Sequence, residues 1–293
     1  MWVITASISY CYKAFNCGEF VDPDEKKCEV AIESDTKGPD GYLADVEPDE
    51  QLSLRVVVNC GGESISGANV ELGVAVKANT GGHHHHDYLR PDGKLQLSES
   101  GNAGKTVRGT TGATEMEVSF LAPSVAGDHM IRATCLDPTC DEEEEVTIWV
   151  GHKGFVRLPP SEFYVLIPNR DTEHPDNHYM TPDAGDRVVR IAKSHHEIFP
   201  DDPVLHLNDA SLERGGMFDF SYPARQQYWR PPHQTHRDGR RIDIRANSLP
   251  TAIPEQNFDG FEMIVEDENC VAEIHNQGTN SQHYHMYCYE IGA

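Results

Sequence analysis

The chain has 293 residues and a formal net charge of −24, from 48 Asp and Glu against 24 Lys and Arg. That imbalance excludes nucleic acid as a natural partner, because phosphate binding needs clustered Lys and Arg. No run approaches the roughly 18 consecutive apolar residues of a membrane span, so none is expected. The opening MWVITASISY lacks the basic start of a signal peptide and reads as a mature or trimmed beginning.

In chain order, residues 1–152 predict an all-β antiparallel sandwich. The stretches at 52–58, 68–76, 116–121, 129–135 and 145–150 are short, β-branched and partly alternating, with Gly, Asn, Asp and Pro clusters between them. The segment SVAGDHMIRATC (124–135) resembles a late strand pair of bacterial immunoglobulin-like domains. The tract His83–His86 reads as a solvated turn or a weak metal binder, and CDEEEEV (140–146) as a solvated acidic edge. Eight cysteines (11, 17, 28, 60, 135, 140, 270 and 288) form no CxxC pair. They read as disulfides of an exported protein: secreted, periplasmic or at the cell surface.

GHKGFVRLPPSEF carries a Gly and a Pro-Pro pair, which places a linker at 153–162 and a second, α+β domain at 163–293. There TPDAGDRVVRIAKSHHEIF (181–199) predicts a helix. Thr181 is its N-cap, Pro182 its first residue and Asp183 lies in its first turn, while Val188, Ile191, Ala192 and His195 share a face. A second helix is predicted over 254–268, with Gly260 as a weak point.

PPHQTHRDGRRIDIR (231–245) sets His236 seven residues before Asp243. RIDIR alternates like a strand, with Ile242 and Ile244 on one side and Asp243 on the other. SQHYHMYCYE (281–290) alternates as well and puts His283 and His285 on one face. A hairpin folded about residue 279 places Cys270 opposite Cys288, at disulfide spacing. The same register sets His275 opposite His283 and Glu273 opposite His285, with the cysteines on the face away from the histidines.

With these pieces assembled, HRDGRRID and HYH resemble the two signatures of the LAS group of zinc metallopeptidases, which includes D-Ala-D-Ala carboxypeptidases and murein endopeptidases. NDASLERGGMF (208–218) is similar to the Asp-x-Ser, Arg-Gly-Gly stretch of penicillin-insensitive murein endopeptidases. The resemblance covers about residues 165–293 and implies an α+β fold with a small antiparallel sheet. It implies one Zn²⁺ on His236, Asp243 and His285, with His233 as an accessory or extra ligand. His283 is implied as base or transition-state stabiliser. In the carboxypeptidase branch a glutamate three residues before the last ligand is the base; here that position is Gln282. From the hairpin register, Glu273 is an alternative base and His275 lines the metal face. Asp209 is expected to hydrogen-bond a ligand histidine. Arg214 is expected to hold a substrate carboxylate or to brace its loop, and Tyr228 and Trp229 to wall the cleft or fill the core. His174 and His178 are expected to brace a loop.

The activity implied is metal-assisted hydrolysis of peptide crosslinks in bacterial cell wall. Two other readings stand beside it. One is a zinc-containing binding or structural module without catalysis. The other is a His-rich metal-storage or adhesion protein that would hold several ions, some at His83–His86.

Overall fold

A computed structural model describes residues 27–84, 91–98, 101–138, 140, 143–168, 174–217, 236–247 and 250–290. His233, Tyr228, Trp229, Cys11, Cys17, His85 and His86 lie outside the described residues. The described chain is mostly β-sheet, with two α-helices.

The first unit contains β1 (Cys28–Glu33), β2 (Ala44–Val46), β3 (Gln51–Cys60), β4 (Glu63–Ser64), β5 (Asn69–Val76) and β6 (Lys94–Leu97). It continues with β7 (Ala103–Gly104), β8 (Thr106–Thr110), β9 (Met116–Leu121), β10 (Gly127–Cys135) and β11 (Glu143–Val150). One sheet runs β1-β3-β9-β6-β7, with β4 on β3; the other runs β2-β11-β10-β5-β8. The strands alternate buried and solvated positions, as in β1 and β10. The inward set, including Val56, Leu72, Phe120, Ile131 and Ile148, forms one core between the sheets. The orders β1-β3-β9-β6 and β5-β10-β11 are those of an immunoglobulin-type sandwich. Cys28–Cys60 closes β1 on β3, and Cys135–Cys140 closes the loop after β10.

The second unit contains β12 (Val156–Arg157), β13 (Tyr164–Leu166), β14 (Tyr179–Met180), α1 (Pro182–Ile198), β15 (Leu205–Leu207) and β16 (Arg241–Arg245). After these come α2 (Phe258–Asp267), β17 (Cys270–His275) and β18 (His283–Cys288). Its main sheet runs β13-β15-β16-β18-β17, parallel between β13 and β15 and antiparallel elsewhere. Val188 and Ile191 of α1 and Phe261 and Val265 of α2 share a core with Ile242, Ile244, Tyr284 and Met286 of the sheet. The helices therefore cover one face of the sheet, and the opposite parity of β16 and β18 faces away from them.

Thr181 caps α1, its hydroxyl accepting from the Ala184 amide, and Pro182 opens the helix. Gly260 has a packing reason: a methyl there would come within 2.5 Å of Cζ of Phe199, the residue that ends α1. Gly260→Ala is therefore expected to lower stability by about 1 kcal/mol, because overpacking outweighs the gain in helix propensity. Thermal unfolding measures this, and a more stable variant would contradict it.

Two expectations need correction. Residues 153–162 are not a free linker: β12 pairs with β14, the Leu158 amide donates to the His178 carbonyl, and Leu158 lies in the second core. The apolar Val-x-Leu pattern there finds a partner strand, which the Pro-Pro signal obscures. His83 is not solvated either. It is fully buried, with Nδ1 3.1 Å from Nε2 of His174 in the second unit. His174 thus braces the junction of the two units.

Candidate metal centre

The hairpin β17–β18 has the register expected from the sequence: Cys270 faces Cys288 and is disulfide-bonded to it, Glu273 faces His285 and His275 faces His283. On its other side β18 pairs with β16, setting Asp243 opposite His285 and Arg245 opposite His283. Ile242, Ile244, Tyr284 and Met286 anchor these two strands in the helical core. Their neighbours in sequence must then turn to the other face, and this parity brings Asp243, His283 and His285 together.

His236 reaches the same point from the turn that precedes β16. Its Nε2 lies 3.4 Å from Asp243 Oδ1, and His285 Nδ1 lies 2.9 Å from that oxygen. The His236 and His285 rings are edge-to-face, with centroids 4.9 Å apart. Potential ligand atoms of His236, Asp243 and His285 all fall within 4.8 Å of one another. Ligands about 2.05 Å from one tetrahedral ion stand about 3.3 Å apart, so the separations from Asp243 bracket that value. Two imidazoles and one carboxylate, converging where His236 and Asp243 are almost fully buried, are a donor set that suits zinc.

His283 stands beside this triad. Its Nδ1 is 2.8 Å from the Ser281 carbonyl, so Nδ1 donates and Nε2 faces Asp243 Oδ2 at 3.5 Å. His275 stacks on His285 at 4.9 Å. Glu273 turns to solvent, its side chain 77% exposed, and its contact is a 4.0 Å approach to His275. Gln282 points away from the triad. Its amide ties the hairpin turn to the end of β16, donating to the Ala246 carbonyl at 2.6 Å and accepting from the Gly278 amide.

Asp209 sits next to Asp243 through backbone pairing, the Asp243 amide donating to the Asp209 carbonyl at 2.8 Å. Its carboxylate accepts from Asn177 Nδ2 at 2.5 Å. Asn177 comes from the His-Pro-Asp-Asn-His stretch, which thereby supports the site from behind, a role that sequence reading missed. Burial and then the charge of Asp243 push Asp209 up to about 6. Burial also disfavours the charged forms of Asp243 and His236, but their mutual attraction outweighs it. It holds the Asp243 carboxyl well below its usual range and raises His236 above its own. A metal must displace the His236 proton. Zinc affinity is therefore expected to fall as pH drops through that raised value, by about tenfold per pH unit for one proton. Competition with a chelator at stepped pH reads this directly; a flat profile would contradict it.

Arg214 turns toward the sandwich. Its Nη1 pairs with Asp128 of the sandwich at 2.5 Å, and its guanidinium lies 5.2 Å from the centroid of Trp149. A guanidinium so committed braces the two units. The glycines after it explain the Arg-Gly-Gly stretch. Gly215 and Gly216 both have positive φ, and a methyl on Gly215 would meet the Arg237 carbonyl oxygen at 2.4 Å. The Gly216 amide donates to that same carbonyl, so the motif seats the turn carrying His236.

No protein-family model matches the chain, and no curated protein matches it. Solved structures similar to it include domains 4 and 5 of the S-layer protein SbsC, at 15% identity over 42% of this chain and 44% of that one, TM-score 0.25. Domains 5–6 of SbsC are 9% identical over 89% of this chain and 83% of that one, TM-score 0.25. A conjugative transposon lipoprotein from Bacteroides eggerthii is 11% identical over 42% of this chain and 94% of that one, TM-score 0.24. At TM-scores of this size the likenesses define neither fold nor function. Among the described residues no helix is long and apolar enough to cross a membrane. The three disulfides among the described residues suit an oxidising compartment.

Proposed function

We propose that the chain is a zinc-dependent peptidase with a LAS-like α+β catalytic domain, secreted, periplasmic or at the cell surface. Its substrate class is the peptide crosslink of bacterial cell wall. The observation that carries this reading is the convergence of His236, Asp243 and His285 on one buried point. These three residues hold the ion, and His233 remains the accessory histidine that the resemblance implies. Bound zinc supplies a Lewis acid and lowers the pKa of its water to about 7.

The chain's own groups divide the remaining work. His283 presents Nε2 to the triad with Nδ1 already committed to Ser281, so it can take a proton at Nε2 and pass it on. That geometry favours His283 as base over the solvent-facing Glu273. Asp209, itself held by Asn177, braces β16 at Asp243. The second reading, a zinc-containing binding module without catalysis, is favoured by Gln282, a structural amide at the position where carboxypeptidase relatives place a carboxylate base.

Zinc-loaded protein incubated with purified crosslinked muropeptides is expected to release new amino groups. His283→Ala is expected to lose turnover by about 100-fold or more while keeping its zinc. A loaded wild type that is inert, and equal to His283→Ala, would leave the binding-module reading.

A further inference from the structure

The sheet face that carries the triad also carries Arg245. In β16 the alternation places Arg241, Asp243 and Arg245 on one side. Arg245 faces His283 across the ladder just as Asp243 faces His285. Cross-strand neighbours on one face have Cβ atoms about 5 Å apart. The Arg245 side chain therefore starts beside His283, whose Nε2 is 3.5 Å from Asp243 Oδ2.

Its partners set Arg245 apart. Every other arginine among the described residues makes an ion pair with Asp or Glu. Arg241, on the same face, pairs with Asp238 and lies 4.4 Å from the centroid of the Tyr287 ring. Arg245 has no such carboxylate among the described residues. It donates Nε to the neutral Asn208 Oδ1 at a long 3.3 Å. A half-buried guanidinium without a counter-charge is costly, and this chain has twice as many acidic as basic residues with which to pair it. The exception lies next to the candidate metal site, with its Nη fork uncommitted among the described residues.

We propose that Arg245 is a specificity-determining residue that binds a carboxylate of the ligand, the C-terminal carboxylate of a peptide or an acidic side chain close to the scissile amide. The Nη pair matches a carboxylate bidentately. A site built to pair an anion discriminates strongly against a neutral analogue. On a chain of net charge −24, this cation and the metal together make the place where an anionic ligand is accepted. The proposal rests on the metal-site reading above for the position of the scissile bond, but binding of the anion requires no turnover.

The test is calorimetry on the full zinc-loaded chain with N-acetyl-alanyl-alanine, in its L,L and D,D forms, against the corresponding C-terminal amides. The acids are expected to bind more tightly than the amides by on the order of tenfold or more. Arg245→Gln is expected to erase that preference, Arg245→Lys to keep part of it, and Asn208→Ala to keep it. Zinc content and the thermal melt are followed in each variant. Equal affinity for acid and amide in the wild type, including no binding of either, overturns the proposal. So does a preference that survives Arg245→Gln, which would place the anion on the metal. Acid preference with no cleavage of crosslinked peptides retains Arg245 and removes the catalytic reading. Cleavage without acid preference removes Arg245 alone.

Discussion

Asp243→Asn is expected to leave the protein folded and to weaken zinc binding by more than about 100-fold. The backbone of residue 243 is held on both sides, its amide on Asp209 and its carbonyl on Asn208, and the flanking Ile242 and Ile244 stay in the helical core. The near-isosteric amide disturbs none of this. It does remove the anionic oxygen to which both His236 and His285 are directed. Loss of an outer-sphere partner typically costs ten- to a hundredfold in metal affinity, and loss of a ligand exceeds that. A second signature follows from the charges. With the carboxylate gone, Asp209 should lose the part of its upward shift that Asp243 supplies, burial keeping the rest, and His236 should lose the attraction that raises it. NMR titration of the metal-free variant reads both shifts, and chelator competition reads the affinity. A folded Asp243→Asn chain with wild-type zinc affinity would contradict the assignment.

The second large effect belongs to Arg187. This side chain is fully buried in α1, a helix otherwise read from its apolar face. Its Nη1 donates to the Tyr289 carbonyl at 2.8 Å and to the Asn269 carbonyl at 3.3 Å, and its Nη2 donates to Asp183 at 2.6 Å. The two carbonyls lie just outside the Cys270–Cys288 disulfide, at the open end of the hairpin that carries His283 and His285. Asp183 is half exposed, so water screens that pair and most of the contribution is assigned to the buried carbonyl bonds. Arg187→Ala leaves a cavity and unpaired polar groups, and should cost about 3–5 kcal/mol. The expected fall in Tm is roughly 6–20 °C, since 1 kcal/mol corresponds to about 2–4 °C in a chain of this size. An alanine variant that melts within 2 °C of wild type would show that the helix does not hold the hairpin in this way.

Much of this architecture was legible from local patterns. The hairpin register follows from a fold about residue 279 that sets Cys270 against Cys288 with the histidines on the opposite face, and β17–β18 has that register. The first turn of α1 followed from Thr181, Pro182 and Asp183, whose effects are confined to a few neighbouring residues. What was not legible depends on long-range pairing. Arg187 sits one position before Val188, and nothing near it in sequence announces its partners at 269 and 289. Arg214 reads as either a substrate residue or a loop brace until Asp128, 86 positions away, appears beside it. His83 reads as part of a solvated tract because nothing local announces His174. The segment 153–162 reads as a linker because its partner strand is only two residues long. In each case the deciding contact spans the two units or distant parts of one, and a short-period pattern carries no record of it.

The central claim is a single zinc site built from His236, Asp243 and His285. X-ray absorption at the zinc edge, on protein loaded and then desalted, tests it most directly. One zinc per chain is expected, with two imidazole ligands and a carboxylate oxygen, and with the signal lost when Asp243 and His285 are both replaced. Zinc that survives that double replacement, or several ions per chain held elsewhere, would contradict it.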